Sequence, residues 1–508
     1  MSFVMRGAGL AIMCAMTGGA AQAAITADQL WAAWQDAGAQ AGVAVTAEAV
    51  NREGASLRLS GVTLSTGTAD DPATTAEAII DEILLTEGAD GAVTILPSAE
   101  LALAAGDEVS GGTMTLRHQG GSIKVTEALG ALTYDLTGAE LAVDVAVSGI
   151  SALTRDDGTE ARTDYAMTMT LADPVVQVTD TPNANRTFGF DIAVTSLSYA
   201  VNASDAGTDT TSAQTSTTAD VAITGSFAAP KTLALTELST PEAWAAAFRE
   251  GMAVSIATTQ GVSQSTAKEE NAFAPMDLTA IAQPGTARFS LSKDGYDLGA
   301  TGEGLQVDVR TASLPIPQVT VNTGALELAL MMPIMAGDTA GSYGLTLKLA
   351  DIVVNDDAWG LIDPTAQLPR DPAQVSLVST GTILVDFLAM MAADSAGATE
   401  ILPPQPLTLD IPEMMVSAAG ALLTGSGAFT FDNATGTPVP AGEANVTLTG
   451  GNKLIDGLIA IGVLTEEDAG GARMMMAMFM NATGDDVLTS KIEAKADGSI
   501  SVNGQRVQ

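Results

Sequence analysis

Few side chains in this chain could carry a reaction. The single histidine, His118, has no second histidine to complete a metal site and no Gly-x-Ser-x-Gly elbow to supply a serine for it to activate. It follows Met114 and Leu116 and precedes Gln119-Gly120-Gly121, a pattern that places it at a hairpin end. Ser290 and Lys293 satisfy a Ser-x-x-Lys spacing, whose chemistry needs one helical turn to bring hydroxyl and amine onto one face. Their surroundings, Ala287-Arg288-Phe289-Ser290-Leu291-Ser292, alternate with period two, so a strand would put the pair on opposite faces. Asp356-Asp357 ahead of Trp359 could bind a cation or open a turn. The 60 acidic residues are too many and too dispersed for spacing to select a glycosidase pair. Phosphate-binding glycine motifs and regular calcium loops do not occur. The sequence therefore nominates no catalytic residue, no metal ligand and no cofactor.

The 60 acidic residues oppose 21 Lys and Arg, for a formal charge of -39. Such a field repels nucleic acid and anionic membranes. The carboxylates are interleaved with apolar positions, as on a solvated surface suited to a salty medium; a cationic partner or loosely held divalent ions are the alternatives. Hydrophobic residues make up 46% of the chain and aromatic residues only 4%, so the cores must be built from Ala, Leu, Val, Ile and Met.

Arg6, an apolar run from Gly7 to Met16 and the small-x-small triplet Ala21-Gln22-Ala23 form a signal peptide over residues 1–23. Cleavage there leaves a chain starting near Ala24 and removes Cys14, the only cysteine, which excludes disulfides and cysteine metal sites. Every later apolar run is interrupted before it could span a bilayer, and four Trp and five Tyr are too few for the aromatic girdles of an outer-membrane barrel. The expected location is the periplasm of a Gram-negative cell, with secretion or loose surface attachment as the alternative.

The elements that must position any site are mostly strands. Tyr165 to Val176 (YAMTMTLADPVV) is echoed by Tyr343 to Val354 (YGLTLKLADIVV). Upstream, Tyr134-Asp135 with Leu141, Val143, Asp144 and Val145 is echoed by Tyr296-Asp297 with Leu305, Val307, Asp308 and Val309. Period-two alternation around both echoes predicts a mainly β fold with packed α-helices, its elongated antiparallel sheets drawn from two related strand-rich units. An amphipathic helix opens the first unit, with Thr26 and Gln29 as a capping box and Leu30, Trp31, Trp34 and Ala37 on one face; docking on its own sheet is the favoured reading of the two tryptophans, a membrane or partner patch the other. The organisation expected after the signal peptide is a first helix and sheet unit over 24–201, a flexible stretch and connecting helix over 202–260, a second sheet unit over 261–380, and helices with closing strands over 381–508. Residues 202–219, rich in Ser, Thr, Asn and Asp, read as a loop, and Pro241 opens a helix through Trp244, Phe248 and Met252. Three further helices are expected: residues 383–391 with Asp386 embedded, residues 453–461, and one capped by Thr465 and Asp468 whose Ala472, Met475, Met476 and Phe479 pack on a sheet or, alternatively, line a pliable groove. Leu488 to Ala494 and Ile500 to Val502 close the chain as antiparallel strands.

The least generic segment is Trp359-Gly360-Leu361-Ile362-Asp363-Pro364 followed by Leu368-Pro369-Arg370-Asp371-Pro372. Its prolines restrict the backbone and Arg370 can lock onto a carboxylate or carbonyl, giving a rigid crossover. Trp359, Asp363, Pro364, Pro369, Arg370, Asp371 and Pro372 form a structural signature that resembles the domain of unknown function 2125 family of exported alphaproteobacterial proteins. Leu30-Trp31 with Trp34, Ala131-Leu132-Thr133-Tyr134, Leu488 to Ile492 and Asn503 to Arg506 are similar to that family too. The resemblance implies export but no activity, cofactor or catalytic residue. At the level of architecture the chain is also similar to AsmA-like strand-repeat envelope proteins. The functional expectation is a non-enzymatic envelope scaffold or a carrier of an apolar ligand, with a lipid or an envelope protein as partner. A carboxylate-based hydrolase of envelope polysaccharide and a purely structural surface protein are the alternatives.

Overall fold

The computed structural model describes residues 24–40, 43–66, 76–106, 111–148, 163–182, 185–205, 210–230, 238, 240–271, 275–335, 340–390 and 403–507. The expected signal peptide, with Cys14, lies outside them. The chain divides into two units, Met1–Thr279 and Ala280–Gln508. Both are mainly β, with antiparallel pairing and a few packed helices.

In the first unit, helix α1 (Ala27–Gln40) leads into strand Val43–Glu53, which pairs with Ser56–Thr66 and through it with Ala76–Glu87. There the sheet divides into two files. Ile83 to Glu87 carry Val93–Pro97, followed by Ser122–Ala128, Ala131–Thr137 and Val175–Pro182. Glu77 to Ile79 carry Glu100–Gly106, followed by Gly111–Gln119, Glu140–Ser148 and Thr163–Ala172. Both files rejoin on Asn185–Asp205, whose first half pairs with one file and second half with the other. That strand pairs along its length with Thr210–Pro230, which in turn carries Ala253–Gln260 and Ser263–Glu270.

A seam runs where the files part. Ala139 N–H donates to Gln119 O (3.0 Å), Asp173 N–H to Ala139 O (2.9 Å) and Gly261 N–H to Ala219 O (2.8 Å). Left-handed residues sit on it: Gly61 (φ 56°), Gly120 (φ 63°), Asp173 (φ 47°) and Asp220 (φ 49°). The irregularity has a packing role. In Ser56–Thr66 the apolar residues fall at Leu57 and Leu59 before Gly61 and at Val62 and Leu64 after it, a switch of parity that a regular strand would turn into a switch of face. Glu48, Gly61 and Asp81 drop out of the pairing together while the register on either side stays the same, the alternation restarts after Gly61, and all four side chains enter one core. That core also receives Leu85, Val93, Val125 and Tyr134 from the sheet and Leu30, Trp31 and Trp34 from α1. Thr26 and Gln29 form the expected capping box, Gln29 N–H donating to Thr26 Oγ1 at 3.2 Å and Thr26 N–H to Gln29 Oε1 at 2.9 Å.

In the second unit, Gly285–Ser292 pairs with Gly295–Gly302 and then Leu326–Met332, while Leu305–Thr311 pairs with Val319–Thr323. Both groups meet strand Gly341–Val354, with a break in register around Asp351 (φ 51°). Antiparallel strands Ala373–Leu384, Gln405–Ala418, Ala421–Asp432, Val439–Thr449 and Val487–Ala494 follow.

Three local expectations are corrected. Residues 202–205 and 210–219 are strand, because their hydroxyls pair across the ladder: Ser198 Oγ with Thr217 Oγ1 at 3.2 Å, and Thr215 Oγ1 with Thr266 Oγ1 at 2.7 Å. The helix expected at Pro241 is α2 (Pro241–Arg249), capped by Thr240, and strand Ala253–Gln260 follows it. Ile383 and Leu384 end a strand, and Asp386 is not embedded in a helix but caps the one that starts at Phe387, accepting from Ala389 N–H at 2.9 Å. After α3 (Asp356–Ile362) and α4 (Gly451–Ala460) comes α5 (Glu466–Phe479), which buries only Ala469 and exposes Met474, Met475 and Met478 by 61–67%. Gly470 and Gly471 lie on that same exposed face, and the helix turns inward through Ala469 with half-buried Ala472 and Met476.

A candidate apolar ligand face

Cross-strand register sorts the first unit's side chains by face. In one file, Leu85, Ile95, Ile123, Leu136, Val176 and Ile192 form a continuous rung. In the other, Leu116, Val143, Met169 and Tyr199 do the same, beside Leu141, Leu171 and Leu197. Apart from Asp180 and Arg186, which share the face of Val176 and Ile192, the ionic groups alternate with these and face the other way. Arg117 pairs with Asp144, which also accepts from Thr168 Oγ1 at 2.8 Å, and Gln177 Nε2 donates to Asp135 Oδ1 at 2.7 Å. Helix α1 covers the start of the apolar face. Beyond it, Val143, Met169, Leu171, Leu197 and Tyr199 are half-exposed.

The same rungs change character at strand Thr210–Pro230. Tyr199 stands opposite Ser216 and then Ser265; Leu197 stands opposite Thr218 and then Ser263. Ser265 Oγ donates to Ser216 Oγ (2.8 Å), Thr218 Oγ1 donates to Ser263 Oγ (3.0 Å), and Ser216 and Ser263 are 3.5 Å apart. Ser216 is 5% exposed and Thr218 9%. Tyr199 Oη accepts from Gln214 Nε2 at 3.0 Å. One buried ion pair lies in the other file: Arg186 grips Asp180 with two hydrogen bonds of 2.6 and 3.0 Å and stacks over Phe188 at 5.1 Å.

His118 and the Ser290–Lys293 pair each have a local structural role. His118 Nδ1 accepts from Gly121 N–H (3.1 Å), which leaves Nε2 to donate to Ser98 O (3.1 Å), so the ring is fixed as a turn staple. Ser290 ends up in strand Gly285–Ser292, and Lys293 pairs with Asp294 at 2.6 Å in the turn beyond. Among the described residues there is no cluster of three His, Cys, Asp or Glu side chains fit to hold a metal ion, and no helix is long and apolar enough to cross a membrane.

The signature segment is in the second unit. Asp363 closes α3 and is fully buried, its carboxylate accepting from Gln367 N–H (2.9 Å) and Leu368 N–H (2.8 Å). Burial pushes this carboxyl up, but backbone donors at Leu368, Gln367 and Thr365, with the Arg370 charge, bring it below the usual aspartate value. Arg370 pairs with Asp356 at 2.6 Å, and both are exposed. A Cβ on Gly420 would meet Pro369 Cγ at 2.9 Å, and one on Gly457 of α4 would meet Leu368 Cδ2 at 2.5 Å, so the segment is wedged between a hairpin turn and a helix. Trp359 is half-buried; Pro364, Asp371 and Pro372 are exposed.

A family model described as an uncharacterized protein conserved in bacteria, DUF2125, matches residues 208–495, more than half of the chain. The chain belongs to this family. The match contains the signature segment and the hydroxyl cluster, whereas α1 and the Ala131–Tyr134 stretch lie outside it. No curated protein and no solved structure matches the chain, so the likeness to AsmA-type proteins has no counterpart among the matches. Sequence reasoning missed the hydroxyl cluster because serine and threonine were counted toward a loop. Their alternation with exposed Thr215, Thr217 and Gln264 was the available signal.

Proposed function

We propose that this protein is an exported envelope protein that carries an apolar ligand along one face of its sheet. The observation that carries this reading is the pair of rungs from Leu116 to Tyr199 and from Leu141 to Leu197, where Leu, Val, Met and Tyr continue from strand to strand, half-exposed and without an interposed charge, past the end of the α1 cover. A contiguous exposed apolar surface of this kind marks a binding site more often than a bare surface. The leader at residues 1–23 supports export, and the charge of -39 supports solubility without attachment to anionic membranes.

Native mass spectrometry of the protein purified from its own host is the test. A bound lipid or other apolar molecule, with an N-terminus near Ala24, is the expected result. A stoichiometric protein partner without any small molecule would replace the carrier by a scaffold, and retention of Met1 would remove the export step.

A further inference from the structure

Resting on the carrier reading, the geometry points to a ligand class: we infer that the first unit binds an uncharged amphiphile, an acyl chain ending in an ester or similar neutral acceptor, with that acceptor at Ser216, Ser263 and Tyr199.

The argument begins with hydroxyl protons. Ser216, Thr218, Ser263 and Ser265 bring four, and the contacts among them number three, each using one. One proton therefore remains on Ser216 or Ser263 with no acceptor among the described residues. Leaving such a donor unpaired in a buried position is costly, and Ser216 is 95% shielded by its neighbours. Tyr199, directly across the ladder, uses its oxygen to accept from Gln214 and so has its own proton to give. Adjacent strands thus present two donors on one face, a match for a group that only accepts.

Charge narrows the head group. No Lys, Arg, Asp or Glu occurs on the rungs from Leu116 to Ser265 or from Leu141 to Ser263, so nothing there would neutralise a phosphate or carboxylate. The chain as a whole, at -39, repels both. The length suits a long acyl chain: five strand-to-strand steps separate the strands of Ser265 and Leu116, roughly 24 Å at about 4.8 Å each. Met167 and Met169 on the way are pliable, which suits chains of varied unsaturation.

The full chain, stripped of lipid, would be titrated by native mass spectrometry with 1,2-dioleoylglycerol, dioleoylphosphatidylglycerol and a pyrene-labelled alkane. The neutral diester should bind at least about tenfold tighter than the anionic lipid at low salt. Replacing both Ser216→Ala and Ser263→Ala should weaken the diester roughly three- to tenfold and leave the alkane unchanged. Equal or tighter binding of the anionic lipid, or an unchanged diester affinity in the double variant, overturns the head-group assignment while the carrier reading stands. If none of the three binds the wild type, both fall together. Should the double variant lose the alkane as well, the wild-type preference between the two lipids decides alone.

Discussion

Asp173 and Asp351 hold the same left-handed backbone, φ 47° and φ 51°, each directly after a Leu-Ala pair. In both places the chain passes from one strand file to the other. Asp tolerates this conformation better than most residues because its short side chain can bond locally; the Asp173 carboxylate is held from the neighbouring strand, accepting from Thr195 Oγ1 at 3.0 Å. The Asp351 carboxylate instead closes over Gly324, where an added Cβ would lie 2.8 Å from Oδ2.

That closeness makes a two-residue test. Gly324→Ala should cost about 1 kcal/mol, and Asp351→Gly should relieve most of it in the double variant, since the obstructing carboxylate is gone. Additive losses in a thermal unfolding cycle would show that the two residues do not meet.

The Asp180–Arg186 pair should be the most sensitive ionic contact in the first unit. Asp180 is 2% exposed and the Arg186 side chain 16%. Arg186→Ala strands a buried carboxylate and should lower stability by about 3–5 kcal/mol in urea unfolding. Arg370→Ala, which breaks a pair between exposed partners, should cost no more than about 1 kcal/mol. Equal effects from the two variants would contradict the burial of Asp180.

Asp363 gives a pH dependence of defined sign. Its folded value lies below the unfolded one, so its contribution is present above the ordinary aspartate range and is lost as pH falls through the folded value. Melting temperature should decline across that acid window in the wild type and more shallowly in Asp363→Asn, whose neutral amide resembles the protonated acid. Parallel curves for the two proteins would show that the cap is not ionised.

Methionine oxidation separates the C-terminal helix from the core. Met474, Met475 and Met478 are 61–67% exposed, whereas Met252 is 2%. Mild peroxide followed by peptide mapping should convert the three helix residues first, with helicity retained, and leave Met252 intact. Early oxidation of Met252 would mean that the core around α2 opens readily.

Much of this architecture was legible in the sequence. The Thr26–Gln29 spacing and the apolar stripe of Leu30, Trp31 and Trp34 report a capped helix on a sheet because both signals are local. The Ser- and Thr-rich strands were harder: their composition matches loops, and only the cross-strand hydroxyl pairs reveal why a sheet accepts them. Met475 and Met476 suggested a buried face, yet what a helix buries depends on the bulk available on its neighbours, which spacing does not encode. Asp363 stood out as part of a signature, but its role as acceptor for Gln367 and Leu368 depends on a turn that brings the chain back four and five residues later. The half-exposed apolar face was legible only as alternation. Which strands stand side by side, and so which apolar residues form one rung, is fixed by pairings such as Leu136 with Val176 across intervening strands of the other file.

The paired strands Asn185–Asp205 and Thr210–Pro230 belong to both files at once. They therefore set the phase of the pattern on either side. A one-residue slip in one file would have to be matched in the other through these two strands, turning Leu197 and Tyr199 toward water and the hydroxyl row away from its partners. Errors that a narrow ribbon could accumulate strand by strand are cancelled here at a single reference line, against which every rung is counted.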